Sequence, residues 1–568
     1  MRPWILSIIV ILCIIPAFVV QTTPDATSLP QQTYYVQMRD GVLLETNVWT
    51  PGPGKYPAVL SRGYSSNGPG GQEAFNNAGY AFVAQLTRGN GGEDGSRFFP
   101  DDLDGYDTIE WIVQQPWSNG EVAMWGGSYW GITQWRAALA GHPALKAIIP
   151  GYTNPELWKC GYWCTGALHL KMTTQGRALP DQGSLDDWKN ALLYLPLIDM
   201  DLHFTGSENI LWNDYITHSS YDDYWKELGM LDGNKYQQIH IPVYNVAGWR
   251  DYYAGGVFEA YNELKKLGYT DEIRASVYDG GHSGQPDITE SIKWLDWVIK
   301  GIDNDIKNQP PIRIAVRHGE MKFAYEWPLP ETEFTDFYLS SPDGSRLGHL
   351  STTPPGNETS TNYIYNPADP VLTLGANGSH VYPEVPGLIV DESVDQRPNE
   401  SRQDVLVFTS STLEEDTEII GPITAKLYAA SSARDTDFTI RLIDVYPDGQ
   451  ALNVTEGIVR ARFRNSIFSS PSLITPRQIY EYDIELLPIA IVLKKGHKIR
   501  VHVSSSNWPL FDRNQNTGNP IGLDAQIEIA EQTIYHDSAH PSHIKLPIIR
   551  PVSPQTVFLY LPLMLMEK

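Results

Sequence analysis

Short, almost continuously apolar runs recur through the N-terminal half of the chain, with helix-like segments between them. The segments at 106–113 and 131–140 repeat apolar residues at the spacing of a helix face. Strands that are apolar on both faces and alternate with helices predict a mostly parallel sheet covered on both sides. An Arg-Asp-Gly stretch at 39–41 predicts an earlier antiparallel hairpin. The strand-like runs lie at 57–61, 80–86, 122–125, 146–150, 242–248 and 275–279.

The pattern changes twice farther along the chain. Between residues 150 and 241 the strand-like runs stop, and aromatic-rich segments of helical spacing predict an inserted helical cap. From about residue 323 apolar and polar residues alternate between glycine-containing turns, which favours an all-β domain built as a two-sheet sandwich or jelly roll. The predicted zones are an N-terminal segment at 1–22, an α/β core at 30–151 and 241–322, a cap at 152–240 and a β domain at 323–568.

The N-terminal segment has the composition of an export signal. Arg2 precedes an apolar run from residue 4 to residue 20, which predicts either a secretory signal or an uncleaved membrane anchor. The run is slightly shorter than the about 20 residues that a membrane span needs. We therefore expect an exported protein, secreted, periplasmic or at the cell surface. Membrane contact is expected only through this segment, if it is not cleaved.

Charge and cysteine content narrow the classes of partner. The formal net charge of −25 would repel a phosphate polyanion, so no nucleic-acid partner is expected. An exported protein can pair Cys160 with Cys164, although their spacing on a regular helix would strain the bridge. No further ligand lies at zinc spacing from them, so no metal site is expected. Four sequons, which matter only in a glycosylating host, lie at Asn357, Asn377, Asn399 and Asn453.

The stretch Gly-Gly-Ser-Tyr-Trp-Gly at 126–131 places Ser128 between a predicted strand and a predicted helix. A nucleophilic serine needs such a sharp turn, flanked by small residues, to expose its Oγ. The usual pattern has glycine two residues before and two residues after the serine. Here Trp130 occupies the second of these positions, and Gly131 follows it. A glycine-rich turn with a merely packed serine is the alternative interpretation.

Two later residues have the positions that partners of Ser128 require. Asp251 follows a predicted strand and a glycine, and His282 lies in a glycine-rich loop after the next predicted strand. Together they give the order Ser, Asp, His, with both partners at the ends of later strands. The alternatives are a surface ion-pair role for Asp251 and a packed structural role for His282.

These motifs, together with long C-terminal stretches at 365–376, 431–464 and 504–518, resemble the cocaine-esterase-like (CocE/NonD) hydrolases, relatives of the X-Pro dipeptidyl-peptidases. The resemblance implies an α/β-hydrolase core with a helical cap insertion, followed by a β jelly roll. It also implies Ser128 as nucleophile, Asp251 as the acid and His282 as the base. The oxyanion hole would combine the backbone N–H of Tyr129 with the hydroxyl of Tyr64. Such chemistry needs no metal or organic cofactor.

Two departures from the family pattern bear on the site. The aspartate that often precedes Arg-Gly in the family is absent, and Gln85 and Leu86 occupy this neighbourhood. Relatives that act on α-amino acid esters carry further carboxylates after the catalytic aspartate, where this chain has two tyrosines and an alanine. The change favours an apolar or aromatic acyl group. Tyr253 and Tyr162 are the candidate pocket walls, with ordinary core packing as the alternative.

The sequence supports three hypotheses for the function of the protein. The leading hypothesis is an exported serine hydrolase that cleaves carboxylic esters through an acyl-enzyme. The second is an X-Pro dipeptidyl-peptidase, which needs an anion for the substrate's N-terminus. The third is a β domain that binds carbohydrate or a surface and carries the hydrolase. The substrate would be a small ester or short peptide, and a homodimer stays possible. Candidate anions for the peptidase are Asp199, Asp201, Asp222 and Asp223.

Overall fold

The computed structural model describes residues 31–89, 102–159, 161–174, 185–268, 272–282, 284–376 and 393–550. The predicted signal or anchor segment lies outside these residues, as do Cys160 and Asn377. Export and the Cys160–Cys164 pairing therefore stay predictions. No helix in the described ranges is both long enough and apolar enough to cross a membrane.

The first described part of the chain forms six strands and three helices. The strands β1 (Gln31–Gln37) and β2 (Leu43–Trp49) make an antiparallel hairpin, in which Gln37 pairs with Leu43 around the predicted Arg-Asp-Gly turn. The four strand-like runs predicted between residues 57 and 150 lie within strands of this part, except that Tyr80 comes directly before its strand. Its elements are β1 (Gln31–Gln37), β2 (Leu43–Trp49), β3 (Tyr56–Gly63), α1 (Gln72–Asn77), β4 (Ala81–Leu86), α2 (Asp102–Val113), β5 (Ser118–Gly127), α3 (Tyr129–Ala140) and β6 (Leu145–Gly151).

The described residues of the cap are mostly helical and include a two-stranded ribbon that the sequence pattern did not predict. Its interior is aromatic, because Trp158, Trp163, Trp212, Tyr215 and Trp225 pack into one buried cluster. Short 3₁₀ turns lie at Leu197–Asp199 and Asp232–Gln238. The other elements are β7 (Trp163–Cys164), β8 (Ala167–Leu168), α4 (Leu170–Thr174), α5 (Leu185–Leu192), α6 (Met200–Thr205), α7 (Ile210–Thr217) and α8 (Asp223–Leu228).

After the cap the chain returns to the first sheet. The returning elements are β9 (Val243–Arg250), α9 (Ala254–Lys266), β10 (Ile273–Gly281), α10 (Ile288–Val298), a 3₁₀ turn at Asp305–Asn308, β11 (Ile312–Ile314) and β12 (Lys322–Ala324). The predicted boundary between residues 322 and 323 thus falls inside β12, the last strand of this sheet. The exact domain limits stay predictions.

The first sheet has ten strands in the order β1-β2-β4-β3-β5-β6-β9-β10-β11-β12. From β4 to β11 all neighbours are parallel, as the apolar runs predict. Successive residues of one strand lie in different apolar clusters on opposite faces of the sheet. In β3, Val59 lies in one cluster and Leu60 in the other, and in β5 the same holds for Trp125 and Met124. Both faces of the sheet are therefore covered, and the carboxyl ends of β5, β6, β9 and β10 lie next to one another.

The C-terminal region is an all-β domain. A pairing between the strands Thr417–Ser431 and His543–Ile549 closes nine strands of this domain into a ring. The more specific jelly-roll designation stays a prediction. The elements are β13 (Thr332–Ser340), β14 (Leu347–Ser351), β15 (Thr361–Tyr365), α11 (Arg397–Glu400), β16 (Leu406–Thr409), β17 (Thr417–Ser431), β18 (Asp437–Val445), β19 (Ala451–Arg460), a 3₁₀ turn at Ala461–Phe463, β20 (Tyr480–Leu493), β21 (Lys498–Ser504), β22 (Ala530–Tyr535) and β23 (His543–Ile549).

The β domain is bound to the cap through buried polar contacts. Arg460 forms ion pairs with Asp437 and Asp512, each at 2.9 Å. Asp512 also accepts the backbone N–H of Leu168 at 2.7 Å, and the backbone N–H of Arg460 donates to the carbonyl of Thr165 at 3.0 Å. The cap is therefore held from one side by the β domain, close to the carboxyl ends of the core strands.

Candidate active site

Ser128 lies on a strained turn between β5 and α3. Its φ of 58° and ψ of −124° are unfavourable for a residue with a side chain. Three backbone hydrogen bonds maintain this conformation. The Ser128 N–H donates to the carbonyl of Gly151 at 2.8 Å, and its own carbonyl accepts the N–H groups of Gly131 and Ile132 at 2.8 and 3.1 Å. The turn is thus the sharp strand-to-helix bend that a nucleophilic serine requires.

The departure from the usual glycine spacing has a packing explanation. A Cβ on Gly131 would lie 2.6 Å from Cγ2 of Thr153 and 2.9 Å from the carbonyl oxygen of Gly151, so the first turn of α3 packs directly on the end of β6. Trp130 fits because Gly63, at the end of β3, has no side chain. A Cβ there would lie 2.4 Å from Nε1 of Trp130. Glycine is therefore required three residues after the serine rather than two.

Asp251 and His282 lie side by side at the ends of β9 and β10. Nδ1 of His282 is 3.0 Å from Oδ2 of Asp251, and both side chains are almost fully buried. The second carboxylate oxygen of Asp251 accepts the backbone N–H of Tyr253 at 3.1 Å. With its carboxylate wholly buried, Asp251 is not a surface ion-pair partner. The hydrogen bond orients the imidazole ring of His282.

The two residues predicted for an oxyanion hole also lie near the turn. Tyr64 follows β3, and its ring centroid is 4.1 Å from that of Trp130 and 5.9 Å from that of Tyr129. Partial burial raises the pKa of the Tyr64 hydroxyl, which keeps its proton available for donation. Tyr129 is the first residue of α3, where backbone N–H groups point out of the helix and attract negative charge.

Tyrosine rings surround His282. The centroids of Tyr152, Tyr252 and Tyr253 lie 6.0, 6.1 and 5.9 Å from that of the imidazole. Burial raises the pKa of Tyr252 well above its usual value, so this residue is a neutral wall. The sequence prediction included Tyr253 but missed Tyr152 and Tyr252. Their position after predicted strands was the available signal, since ligands of α/β sheets bind at the carboxyl ends of strands.

Tyr162, the other predicted pocket wall, lies within the aromatic interior of the cap. Its ring stacks on Tyr215 at a centroid distance of 4.5 Å and lies 6.0 Å from Trp225. The side chain is almost fully buried. These contacts match the core-packing alternative, and a role for Tyr162 as a pocket wall stays a prediction.

Gln85 occupies a buried polar position behind Tyr64. Its Oε1 accepts from Nε of Arg62 at 2.8 Å and from Oγ1 of Thr108 at 2.7 Å, and its Nε2 donates to Oγ1 of Thr46 at 3.0 Å. Arg62 in turn lies 3.7 Å from Asp104. Because Arg62 is two residues from Tyr64, the glutamine supports the strand end that carries this tyrosine.

The acidic cap residues considered as substrate anchors have local structural contacts. Asp201 accepts the backbone N–H of Leu202 at 2.7 Å, and Asp222 caps α8 by accepting the N–H of Tyr224 at 3.1 Å. Asp199 and Asp223 are exposed. Within the described ranges, no three His, Cys, Asp or Glu side chains are grouped closely enough to hold a metal ion.

Comparison with known proteins assigns the family. Residues 40–284 match the model of the X-Pro dipeptidyl-peptidase (S15 family), and residues 304–545 match its C-terminal non-catalytic domain. The chain is also 32% identical to the cocaine esterase of Rhodococcus sp. (strain MB1 Bresler), over 91% of this chain and 98% of that protein. The chain belongs to the cocaine-esterase-like (CocE/NonD) family. This CocE/NonD protein is therefore a serine hydrolase, as the sequence motifs predicted.

Solved structures show the same architecture. The fold matches an aminopeptidase from a marine sediment Thaumarchaeota archaeon with a TM-score of 0.79 and 25% identity, over 93% of this chain and 98% of that one. It also matches a CocE/NonD family hydrolase from Staphylococcus aureus with a TM-score of 0.65 and 20% identity, over 91% and 94% of the two chains. The predicted α/β-hydrolase core with a C-terminal all-β domain is confirmed.

Proposed function

We propose that this CocE/NonD protein hydrolyses carboxylic esters with Ser128 as nucleophile, His282 as general base and Asp251 as the group that orients the base. The main support is the combination of the strained turn at Ser128 with the buried 3.0 Å contact between His282 and Asp251. The strained turn is the sharp bend that exposes a nucleophilic serine, and a buried Asp-His pair at neighbouring strand ends is the arrangement that activates such a serine.

Acylation begins with proton transfer from Ser128 to His282. The bond to Asp251 keeps the ring proton on Nδ1, so Nε2 is the acceptor for the proton of the serine Oγ. Oγ attacks the ester carbonyl, and a tetrahedral intermediate with a negative oxygen forms. The N–H of Tyr129 and the hydroxyl of Tyr64 would bind this oxygen, and each such donor lowers the barrier by about 3 kcal/mol.

Acylation ends when the protonated His282 donates to the leaving alcohol as the C–O bond breaks, which leaves the acyl group on Ser128. Deacylation then repeats the chemistry with water. His282 then removes a proton from an attacking water, a second tetrahedral intermediate forms, and the carboxylic acid leaves as Oγ regains its proton. At both stages the N–H of Tyr129 and the hydroxyl of Tyr64 would bind the negative oxygen.

The acyl group is proposed to be apolar or aromatic. Tyr152, Tyr252 and Tyr253 surround the imidazole, and two of them occupy positions where relatives that act on α-amino acid esters carry carboxylates. Aromatic walls gain from excluding water from an apolar acyl group, whereas they offer no counter-charge to an α-ammonium group.

An X-Pro dipeptidyl-peptidase is the second candidate, because the family model that matches residues 40–284 carries that name. The chemistry at Ser128 would be the same, but an anion must bind the substrate's N-terminus. Asp201 and Asp222 already accept backbone N–H groups of neighbouring residues, which favours the esterase. The β domain as a carbohydrate or surface binder has less support, because its buried contacts with the cap, from Asp512 to Leu168 and from Arg460 to Thr165, indicate a structural role.

The deciding experiment compares para-nitrophenyl butyrate with Gly-Pro-para-nitroanilide, using the chain from about residue 22 and its Ser128→Ala variant. We expect the ester to be cleaved faster, with activity lost in the variant. Faster cleavage of the anilide would establish the peptidase instead. Equal activity of Ser128→Ala and the wild type would refute the proposed nucleophile.

Export is proposed from Arg2 and the apolar run that follows it. We expect the full-length chain to be found outside the cytoplasm when it is expressed in a bacterial host, and a chain lacking residues 1–22 to remain inside. N-terminal sequencing of the exported protein would distinguish a cleaved signal from an anchor. Retention of the full-length chain in the cytoplasm would contradict the proposal.

A further inference from the structure

The loop after β10 makes an unexpected contact with the turn that carries Ser128. Oε1 of Gln285 accepts the backbone N–H of Gly127 at 2.8 Å. Gln285 lies three residues after His282, and Gly127 directly precedes Ser128. One side chain thus connects the loop of the proposed base with the turn of the proposed nucleophile.

Two further residues of this segment, Gly284 and Pro286, pack directly against the backbone of Gly127 and Gly151. A Cβ on Gly127 would lie 1.8 Å from the carbonyl oxygen of Gly284, and a Cβ on Gly151 would lie 2.6 Å from Cγ of Pro286. Gly151 is the residue whose carbonyl accepts the N–H of Ser128. Gly284 and Pro286 therefore lie directly against the ends of β5 and β6, and both glycines are required for this approach.

The strand order explains why such a contact is needed. β5 and β10 are separated by β6 and β9, so His282 must reach across two strands to serve Ser128. Asp251 orients the imidazole, but it comes from β9 and does not determine how far the loop extends toward β5. The hydrogen bond from Gly127 to Gln285 joins the loop directly to β5, and Pro286 supports it over β6.

We propose that Gln285 is a positioning residue that sets the separation between His282 and Ser128. This inference rests on the proposed catalytic roles of those two residues. Proton transfer requires heavy atoms within hydrogen-bond reach, and a displacement of about 1 Å can reduce turnover about a hundredfold. Gln285 touches neither substrate nor the reacting atoms, so its loss is expected to act on turnover rather than on substrate binding.

The test compares Gln285→Met, which keeps the side-chain length but has no carbonyl acceptor, with Gln285→Glu, which keeps an acceptor oxygen. Gln72→Met is the matched control, because Gln72 lines the same surface groove and its amide donates locally, to the carbonyl of Asn67 at 2.6 Å. kcat and KM for para-nitrophenyl butyrate are measured from pH 5 to 9, with thermal unfolding of each variant.

We expect Gln285→Met to lower kcat about tenfold to a hundredfold, with KM changed less than about threefold. The acid limb of its pH profile should stay in place, because the contact between His282 and Asp251 is untouched. Gln285→Glu should recover most of the loss, and Gln72→Met should match the wild type. Recovery by an acceptor oxygen is not expected if the side chain only fills space.

The inference is overturned if Gln285→Met keeps the kcat of the wild type, or if Gln285→Glu is as slow as Gln285→Met. A loss of kcat that merely follows the folded fraction of Gln285→Met overturns it as well. A wild type without any Ser128-dependent hydrolysis is a different result, since it removes the proposed function and this inference together.

Discussion

The Tyr64 hydroxyl is the side-chain group on which the proposed oxyanion hole depends. Tyr64→Phe keeps the ring contacts with Trp130 and Tyr129 but removes the donor. Loss of one such donor typically lowers kcat by about a hundredfold to a thousandfold, and we expect that loss here with little change in KM. Steady-state kinetics with para-nitrophenyl butyrate measure it.

Tyr56→Phe is the control for this prediction. Tyr56 begins the strand that Tyr64 follows, and its hydroxyl donates to the carbonyl of Pro53 at 3.1 Å, at the opposite end of β3. We expect wild-type kcat from this variant. A Tyr64→Phe enzyme that is equally active would show that the hydroxyl does not bind the oxyanion.

The buried carboxyl of Glu156 is expected to make the stability of the protein depend on pH. Burial raises the pKa of its carboxyl to about 7, although the N–H groups of Leu231 and Trp158 oppose the shift. Between pH 4.5, the ordinary pKa, and pH 7, the folded state binds more protons at this group than the unfolded state does. Its contribution to stability is therefore present below pH 4.5 and is lost as the pH rises to 7.

Glu156→Gln should remove this pH dependence. The amide oxygen still accepts a backbone N–H, and no charge is buried above pH 7. We expect the variant and the wild type to unfold at similar temperatures at pH 5, and the variant to unfold at the higher temperature at pH 8. Thermal unfolding across this range measures the difference, with the exposed Glu208→Gln as control. An equal pH dependence of wild type and Glu156→Gln would contradict the assignment.

Elements were predictable where burial leaves a pattern in the local sequence. β3 to β6, β9 and β10 are apolar on both faces, and Asp251 and His282 could be found because each follows such a strand. Contacts between distant segments leave no local pattern. Gln285 and Gly127 are 158 residues apart, and their contact depends on the order β5-β6-β9-β10. The fit of Trp130 against Gly63 likewise depends on how α3 crosses β3.

The packing of α3 on β6 gives a prediction at the scale of the element. In a helix, alanine in place of Gly131 is favoured by up to about 1 kcal/mol. The new Cβ would nevertheless lie 2.6 Å from Cγ2 of Thr153 and 2.9 Å from the carbonyl oxygen of Gly151, which forces α3 away from β6. We expect Gly131→Ala to lower both the unfolding temperature and kcat, since Ser128 moves with the helix.

Gly255→Ala is the matched control, because Gly255 also lies in the first turn of a helix that follows a site residue. A Cβ there would approach no closer than 3.7 Å, to Pro488, so the helical preference for alanine should raise the unfolding temperature slightly. If Gly131→Ala behaved like Gly255→Ala, the first turn of α3 would not be closely packed on β6.

At the scale of the whole molecule, the site depends on three regions that meet at one end of the core sheet. The core supplies Ser128, Asp251 and His282, and the cap lies beside them. The β domain contacts the cap through Asp512, which accepts the N–H of Leu168, and through Arg460. Arg460 therefore connects the interior of the β domain with the segment of the cap nearest to it.

Replacement of Arg460 tests this connection. Arg460→Leu would leave Asp437 and Asp512 buried without their cation, and breaking a buried pair in this way costs about 3–5 kcal/mol.

Arg477→Leu is the control, because Arg477 is largely exposed and its ion pair with Glu531 contributes about 0–1 kcal/mol. Urea unfolding is followed by tryptophan fluorescence, to which the four tryptophans of the cap interior named above contribute together with core tryptophans such as Trp125 and Trp294. If the β domain stabilises the cap, Arg460→Leu lowers the urea midpoint of this signal and kcat together. A variant with a lowered urea midpoint but the kcat of the wild type would show that the site does not depend on this connection.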